Sequence, residues 1–523
     1  MGVYLNPGSS KFGISLRSEI YVDKSALIGE LNPVIDTENR FVCVSRPRRF
    51  GKTMAANMLA AYYGNSEDTD EIFTDLIISN NPSYKQHLNQ HMVIQLNMQS
   101  FYSENDSVIE MLADLQAEVI DELKEIYPQI VKEIKSLPRA MEKIYAKTSQ
   151  TFIILIDEWD CLFRVNKNDT DSQEKYLDFL RNWLKDKSYV GLAYMTGILP
   201  IKKYGTHSAL NMFDEYSMIS PGIMAEYAGF TEDETRELCG RYGMDFEEMK
   251  TWYNGYSLDA VLSVYSPQSV ITSLLSKKYD MYWNRTETYE ALKTYIQMNF
   301  DGLKDSVVEM LAGGNIRVNT TRFSNDMTTL VTKDDVLTLL VHLGYLGYNS
   351  FTNTVFIPNK EVSGEFVNAI EGAHWDEIMR SIKASEQLLQ SLWNMDGEAV
   401  AAGVDNAHLS TSILQYNDEN ALSYTISLAF YSSREYYTTI RELPSGKGFA
   451  DICFIPRPNH TDKPAIMIEL KWDKAAIGAI AQIKNRKYVE SLEAYWGNIL
   501  LVGINYDKRK KTHECTIEKL MKD

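Results

Sequence analysis

The most constraining feature of this sequence is the stretch FVCVSRPRRFGKTMAANMLAAYYG at residues 41–64. Phe41 to Ser45 is an apolar, β-branched run typical of a buried strand in a parallel sheet. A basic loop from Arg46 to Gly51 follows it, and Lys52 and Thr53 then open a segment with helical apolar spacing. A strand, a tight loop and Gly-Lys-Thr at the start of a helix form the usual cradle for nucleotide phosphates. This stretch therefore predicts a nucleotide site on a parallel sheet.

The layout of this cradle predicts the roles of its residues. The helix N-terminus directs backbone N–H groups and a positive dipole at an anion. Lys52 is predicted to reach the β- and γ-phosphates of ATP, and the Thr53 hydroxyl to hold Mg²⁺. Arg46 stands where a glycine is usual, so the loop has to turn by another route. The alternative is a basic loop that contains Gly-Lys-Thr by chance. The predicted nucleotide-binding residues of the loop are Arg46, Pro47, Arg48, Arg49, Phe50, Gly51, Lys52 and Thr53.

A second segment supplies the acidic residues that such a site requires. Residues 151–156, TFIILI, have the pattern of a buried strand, and Asp157 and Glu158 follow at its carboxyl end. Asp157 is predicted to bind the nucleotide by holding the Mg²⁺ shell, and Glu158 to polarise the attacking water. An acidic turn after a core strand is the structural alternative. Because both halves occur in the expected order along the chain, the nucleotide interpretation is favoured.

Length and composition limit the class of protein. A chain of 523 residues is too long for one core, and it predicts about two to four domains. Its hydrophobic content of 44% is ordinary for a globular protein, and no apolar run reaches the roughly 20 residues that cross a bilayer. The N-terminus lacks a signal-peptide pattern, so a cytoplasmic protein with no membrane partner is expected. Five scattered cysteines predict reduced thiols and no zinc site.

The charge distribution bears on the partners of the chain. A net charge of −18 argues against nonspecific coating of nucleic acid. Residues 441–523 nevertheless carry 15 Lys or Arg against 11 Asp or Glu, so this segment is at +4 while the rest of the chain is near −22. The surplus is modest, and a solvated face is its ordinary explanation.

The order of the predicted elements gives an α/β fold class with three domains. Strands and helices alternate without hairpin signals at first, which predicts a P-loop parallel-sheet domain over residues 1–225. A capping box, Thr231 to Glu234, then opens a helical region, and residues 346–357 alternate as a hairpin. A helical, winged-helix-like lid is therefore predicted over residues 226–384. Connector helices and a C-terminal α/β domain are predicted over residues 385–523.

A second group of polar residues lies on two apolar strand patterns near the C-terminus. Asp451 falls in the first of these patterns, and Glu469 and Lys471 fall in the second, where their spacing of two places them on one face. If the strands pair, two carboxylates and an ammonium meet, and two hard oxygen ligands suit Mg²⁺ or Mn²⁺. Lys471 would then orient or polarise the nucleophile. The structural alternative is a solvent-facing ladder of salt bridges.

Two further residues extend this second group. Gln482, on a helix that follows, is predicted to contact phosphate, and Glu419, on a helix that precedes, to complete the acidic set. The predicted catalytic residues are thus Glu158, Asp451, Glu469, Lys471 and Gln482. The predicted metal ligands are Thr53, Asp157, Glu419, Asp451 and Glu469.

With these residues identified, the chain resembles a bacterial family that joins an AAA-ATPase-like domain to a C-terminal PD-(D/E)xK nuclease domain. The RPRRFGKT motif is a specific signature of that family, which itself lacks the first glycine of the phosphate loop. The resemblance extends over nearly the whole chain. Its motifs are YVDKS (Tyr21 to Ser25), RPRRFGKT (Arg46 to Thr53), LIDEWD (Leu155 to Asp160), MTGI (Met195 to Ile198), WYNGYS (Trp252 to Ser257), VYSPQSV (Val264 to Val270), GFAD (Gly448 to Asp451), IELKW (Ile468 to Trp472) and QIKNRKY (Gln482 to Tyr488).

The resemblance implies nucleotide binding by the first group of residues and a restriction-endonuclease-like site in the second. The expected function is an ATPase fused to a metal-dependent nuclease, in which ATP binding gates phosphodiester hydrolysis. ATP, Mg²⁺ or Mn²⁺, and nucleic acid are the expected cofactors and partners. Many such ATPases assemble, so a homo-oligomer is compatible with the resemblance. The alternative is a nucleotide-controlled switch that binds a protein or nucleic-acid partner through a nuclease-like domain that does not cleave.

Overall fold

The computed structural model forms two compact units. The first comprises Met1–Thr286 with Arg317–Val362, and the second comprises Glu287–Ile316 with Ser363–Asp523. The predicted division near residues 225 and 384 remains a prediction.

No described helix has the length and apolar character needed to span a membrane. All five cysteines are free thiols. The structure describes residues 2–201, 210–258, 261–283, 288–298, 300–324, 330–373, 375–410, 419–445, 448–457, 460–472, 480, 495 and 497–520.

In the described part of the chain, α-helices outnumber strands, and both occur in each unit. The α-helices are α1 (Ser10–Leu16), α2 (Ala26–Leu31), α3 (Lys52–Tyr63), α4 (Asp70–Phe73), α5 (Tyr84–His87), α6 (Met98–Glu104), α7 (Val108–Ile126), α8 (Pro128–Val131), α9 (Leu137–Thr148), α10 (Cys161–Val165), α11 (Thr170–Leu184), α12 (Glu232–Tyr242), α13 (Phe246–Tyr253), α14 (Pro267–Ser276), α15 (Thr288–Ile296), α16 (Leu303–Leu311), α17 (Lys333–Leu343), α18 (Lys360–Gly372), α19 (Asp376–Trp393), α20 (Gly397–Ser410), α21 (Glu419–Ala429) and α22 (Ser433–Tyr436). The strands are β1 (Phe41–Ser45), β2 (Met92–Asn97), β3 (Phe152–Asp157), β4 (Val190–Gly197), β5 (Asp214–Tyr216), β6 (Phe230–Thr231), β7 (Tyr256–Leu258), β8 (Val261–Tyr265), β9 (Ile316–Arg317), β10 (Gly347–Asn349), β11 (Thr354–Phe356), β12 (Tyr437–Ser445), β13 (Gly448–Pro456), β14 (Ala465–Trp472), β15 (Ile499–Asp507) and β16 (Thr512–Leu520).

The first unit is built on a parallel sheet of five strands in the order β2-β3-β4-β1-β5. Strands β1, β3 and β4 are buried along their whole length, which explains why they appear in the sequence as continuous apolar runs. In register, Ser45 pairs with Gly197 and Asn97 pairs with Asp157. The carboxyl ends of these strands therefore meet at one edge of the sheet. The predicted parallel-sheet domain is confirmed, and this edge positions the loop after β1 beside the acidic end of β3.

The rest of the first unit is helical with small antiparallel sheets. Thr231 and Glu234 form the predicted capping box at the start of α12, since each side chain accepts a hydrogen bond from the other's backbone N–H. The hairpin predicted over residues 346–357 is present as β10 and β11, and it turns at Asn353 with a φ of +52°. The predicted capping box and hairpin are confirmed, and the winged-helix-like lid over residues 226–384 stays a prediction.

The second unit contains a mixed sheet in the order β12-β13-β14-β15-β16. Strands β14 and β15 are parallel, and the other neighbours are antiparallel. Apolar side chains on one face of this sheet pack against α19, α20 and α21. Because side chains alternate between the faces, the odd-numbered residues of β14, which include Glu469 and Lys471, lie on the opposite face. The predicted C-terminal α/β domain is confirmed.

Acidification is expected to weaken the packing of α20 against β16. Burial and, to a smaller extent, His513 lower the pKa of His408 to about 4, while Asp405 opposes both effects. His513 itself lies 2.8 Å from Asp405 through Nδ1 and 5.5 Å from the His408 ring. Because the folded pKa lies below the unfolded value near 6.5, protons favour the unfolded chain as the pH falls from about 6.5 to about 4.

Urea unfolding of full-length protein at pH 7 and pH 4.5 measures this effect. The wild type is expected to lose about 1–2 kcal/mol more stability than His408→Gln over this interval, since solvent screens part of the shift at a half-buried site. Equal losses in the two proteins would contradict this role of His408.

Candidate nucleotide and nuclease sites

The Arg46 side chain holds the phosphate loop in place through hydrogen bonds within the protein. Its side chain is fully buried, and it donates from Nη1 to the carbonyls of Ser45 at 3.0 Å and Tyr216 at 2.8 Å, and from Nη2 to the carbonyl of Met224 at 3.2 Å. Burial lowers its pKa to about 10. The guanidinium thus holds the start of the loop to the segment after β5. Contact between Arg46 and a nucleotide stays a prediction, and in this arrangement it would be made by the backbone.

The loop turns at positions other than Arg46. Arg49 has a φ of +68° and Gly51 a φ of +88°, so these two residues provide the left-handed conformations that the turn needs. Gly51 is also the N-cap of α3, and nothing lies within 4 Å of where its Cβ would be. The approach to the first turn of α3 is therefore open on this side.

The middle of the loop packs against the helical part of the same unit. Arg49 donates from Nη1 to the Tyr282 carbonyl at 3.0 Å, and Phe50 makes an edge-to-face contact with Tyr256 at 5.5 Å between ring centroids. Pro47 lies so close to Gly344 that a Cβ there would be 2.8 Å from the proline ring. Arg48 is half-buried. The loop is therefore held on its far side by residues distant in sequence.

Lys52 and Thr53 begin α3 as predicted. Lys52 is 6% exposed, and its Nζ donates to the carbonyls of Arg46 at 2.9 Å and Pro47 at 2.8 Å. Burial lowers the pKa of Lys52, and nearby carboxylates, Glu158 foremost, oppose that shift. The first N–H groups of a helix have no partner within the helix. The ammonium and these N–H groups together suit a bound phosphate.

Asp157 joins the two predicted halves of the site. Its Oδ2 accepts a hydrogen bond from Thr53 Oγ1 at 2.7 Å, and its Oδ1 accepts one from Thr196 Oγ1 at the tip of β4. The carboxylate is only 3% exposed. A carboxylate and a hydroxyl are hard oxygen ligands of the kind Mg²⁺ takes beside a nucleotide. Thr53 and Asp157 therefore fit the predicted metal.

Glu158 lies beside this pair in a strained backbone conformation, with a φ of +54°. Burial raises its pKa, and Arg164 opposes the rise. Arg164 donates from Nη2 to Glu158 Oε2 and from Nε to Asp160 Oδ2, at 3.1 Å in the second case. No role for Arg164 or Asp160 was predicted from the sequence. The only signal available was their spacing of four residues, which places an acid and a base on one face of a helix.

The structure brings three of the predicted nuclease residues together. Lys471 Nζ donates to Glu469 Oε1 at 2.8 Å, which confirms that the two side chains share a face of β14. Asp451 lies on β13, and its Oδ2 accepts a hydrogen bond from the backbone N–H of Leu470 at 2.6 Å. Glu469 is 2% exposed and the Lys471 side chain 12% exposed. Two oxygen-bearing acids and an ammonium at one place fit a Mg²⁺ or Mn²⁺ site.

For two predicted members of this site, the side chain lies outside the described part of the structure. Gln482 lies outside the described residues, and Glu419 begins α21 with a side chain outside the described part. Among the side chains that the structure describes, no group of three or more His, Cys, Asp or Glu is arranged to hold a metal. Register places Asn505 of β15 beside Lys471, and sequence reasoning gave no reason to single out that residue.

Two family models match the parts of the chain that contain these candidate sites. Residues 10–206 match the AAA-ATPase-like family model, described as a predicted AAA-ATPase. Residues 418–515 match a model of the PD-(D/E)XK nuclease superfamily. The chain therefore joins an AAA-ATPase-like domain to a nuclease-superfamily domain, and the resemblance noted from the sequence is confirmed.

Individual relatives are distant. An uncharacterized protein in the vnfD 5' region of Azotobacter chroococcum mcd 1 is 25% identical over 281 residues, which are 51% of each chain. The chain thus spans about half the length of this curated relative. The solved structure of C. elegans PCH-2 is 11% identical over 64% of this chain and 71% of its own, with a TM-score of 0.23. The Aeropyrum pernix ORC2 protein in ADPNP-ADP complexes is 11% identical over 68% of this chain and 97% of its own, with a TM-score of 0.29.

Proposed function

We propose that the first unit binds and hydrolyses ATP and that the second unit hydrolyses phosphodiester bonds in nucleic acid. The hydrogen bond between Thr53 and Asp157 is the observation that best supports this function, because it joins the phosphate loop to an acidic strand end 104 residues away. For the second activity, the support is the Glu469–Lys471 pair beside Asp451.

In the proposed ATPase, each residue has a separate task. The N–H groups at the start of α3 and the Lys52 ammonium bind the phosphates. Thr53 and Asp157 would hold Mg²⁺, which when bound neutralises charge on the β- and γ-phosphates. Glu158 orients the attacking water and accepts its proton. Burial raises the pKa of Glu158 and so makes it a stronger base than an exposed glutamate.

In the proposed nuclease, Asp451 and Glu469 would hold the metal, which when bound supplies a nucleophilic water and stabilises charge on the phosphate. Lys471 orients that water or stabilises the developing charge, since its ammonium already lies at the acidic pair. The surplus of four basic residues in 441–523, 15 against 11 acidic residues, gives modest support for a polyanionic substrate.

A change of one functional group tests the ATPase. Wild-type protein is expected to release phosphate from ATP with Mg²⁺, and Glu158→Gln to lose about 100-fold or more of this turnover because an amide cannot accept the proton. Binding of a fluorescent ATP analogue is expected to persist in Glu158→Gln. The matched control is Glu174→Gln on an exposed face of α11. ATP turnover at the wild-type rate in Glu158→Gln would contradict the role assigned to Glu158. A wild-type protein without ATP turnover would contradict the proposed ATPase function.

A nucleotide-controlled switch is the second candidate, and one observation favours it. Pro47, Arg49 and Phe50 contact the helical part of the first unit, so a nucleotide that shifts the loop would also move Tyr256, Tyr282 or their neighbours. Such a protein would bind nucleic acid with an affinity that depends on ATP, and it would not cleave. Cleavage products in the presence of Mg²⁺ separate the nuclease from the switch.

A further inference from the structure

Arg164 is a buried cation beside the proposed ATPase site whose role is not accounted for by phosphate or metal binding. It lies in the last turn of α10, and its side chain is 9% exposed. One guanidinium bonds two acids: Nε donates to Asp160 Oδ2 at 3.1 Å, and Nη2 donates to Glu158 Oε2. Its planar fork is suited to holding two carboxylates in fixed positions.

Asp160 anchors this arrangement to the sheet. It is fully buried, and its Oδ2 also accepts hydrogen bonds from the backbone N–H groups of Ile198 at 3.1 Å and Leu199 at 2.8 Å. These residues directly follow β4, whose tip supplies the Thr196 hydroxyl to Asp157. The guanidinium is therefore fixed relative to the strand ends that form the site.

Glu158 remains within the site while it is paired with Arg164. The Glu158 side chain is 23% exposed, and it directly follows Asp157, whose Oδ2 accepts the hydrogen bond from Thr53 at 2.7 Å. Its φ of +54° is a conformation that a non-glycine residue rarely adopts without support. The ion pair with Arg164 holds the Glu158 side chain and so supports this conformation.

We propose that Arg164 is a positioning residue for ATP hydrolysis, which holds the Glu158 carboxylate beside the phosphate loop while Asp160 fixes the guanidinium to the end of β4. This role rests on the proposed ATPase function of the first unit. Arg164 acts through Glu158 and does not touch the nucleotide. A purely structural ion pair would instead stabilise the fold without affecting turnover specifically.

A double-mutant cycle on the full-length protein tests the proposal. Arg164→Gln is expected to lower kcat for ATP by about 10- to 100-fold with KM changed less than about threefold, because orientation of the base is lost and ground-state binding is kept. Arg164→Lys is expected to have a kcat between those of Arg164→Gln and the wild type. In a Glu158→Gln background, either change at Arg164 is expected to have no further effect. Arg181→Gln, on the exposed last turn of α11, is the matched control.

Each outcome decides between the two roles. An unchanged kcat in folded Arg164→Gln, or an equal loss in the Glu158→Gln background, overturns the positioning role. If thermal unfolding shows that Arg164→Gln does not fold, the same cycle with Arg164→Lys gives the decision. If the wild type does not turn over ATP, both the proposed ATPase function and the positioning role of Arg164 are contradicted. If the wild type turns over ATP and the Arg164 variant does so equally well, only the positioning role is contradicted.

Discussion

Lys52→Ala is expected to lower kcat/KM for ATP by about 100- to 1000-fold, because it removes a cation at the first turn of α3 beside the carboxylates. Lys52 is 6% exposed, so the charge of its side chain is weakly screened by solvent. Glu158, Asp160 and Asp157 all act on its pKa, which places it within the acidic cluster rather than outside it. Phosphate release at several ATP concentrations measures the loss.

Two comparisons make the Lys52 experiment specific. Lys52 also donates to the carbonyls of Arg46 and Pro47, so thermal unfolding of Lys52→Ala is needed to separate a lost charge from a collapsed loop. Lys175→Ala, whose side chain on α11 is 46% exposed, removes a lysine from the surface of the same unit and is expected to leave turnover unchanged. Undiminished turnover in folded Lys52→Ala would show that residues 46–53 do not form the phosphate cradle.

The sequence predicted the central geometry of this site because that geometry depends on local patterns. Continuous apolar runs identified β1 and β3 as buried parallel strands, and parallel strands bring their carboxyl ends to one edge. The segments that follow those strands therefore lie along that edge. Because β4 lies between β1 and β3, the 2.7 Å contact of Thr53 with Asp157 also depends on the loop that joins β1 to α3.

The environment of Arg46 could not be predicted in the same way. Its acceptors include the carbonyls of Tyr216 and Met224, which lie 170 and 178 residues further along the chain. No local pattern reports a contact of that separation. The turn at Arg49 could not be predicted from the sequence either, because arginine is not a residue type that indicates a positive φ. The sequence showed that Arg46 stands where a glycine is usual, but it did not show how the loop turns without that glycine.

The aromatic stretch WYNGYSLDAVLSVYSP lies in the region predicted to form a helical lid. The structure forms β7 and β8 within it, and β8 pairs with both β6 and β7. Such short strands carry too few residues for a period-two pattern to emerge from an aromatic-rich segment. Arg164 was missed for a related reason: its spacing from Asp160 fits any solvated helix, and only burial distinguishes it.

Lys471→Ala and Asp451→Asn are each expected to lower the rate of nucleic-acid cleavage by about 100-fold or more. Each change removes a group from a site that has to hold a metal and stabilise charge at one phosphate. Asp451→Asn is the milder change, since an amide oxygen can still accept the Leu470 N–H bond. Lys471→Ala leaves Glu469 buried without its cation, so unfolding must be measured beside activity. Labelled single- and double-stranded DNA and RNA, with Mg²⁺, Mn²⁺ or a chelator and with ATP present or absent, provide the assay.

Binding measurements on the same variants decide between the nuclease and the switch. A metal ligand or a catalytic lysine contributes mainly to the chemical step, so both variants are expected to bind the labelled strands within about threefold of the wild type. Lys519→Ala, an exposed lysine on β16, is the control for a general loss of positive charge. Cleavage that survives in folded Asp451→Asn, or that needs no divalent metal, would contradict the assigned site. Binding without cleavage by the wild type under every condition would favour the switch, because the acidic pair and Lys471 would then serve only to hold β14 and its neighbours together.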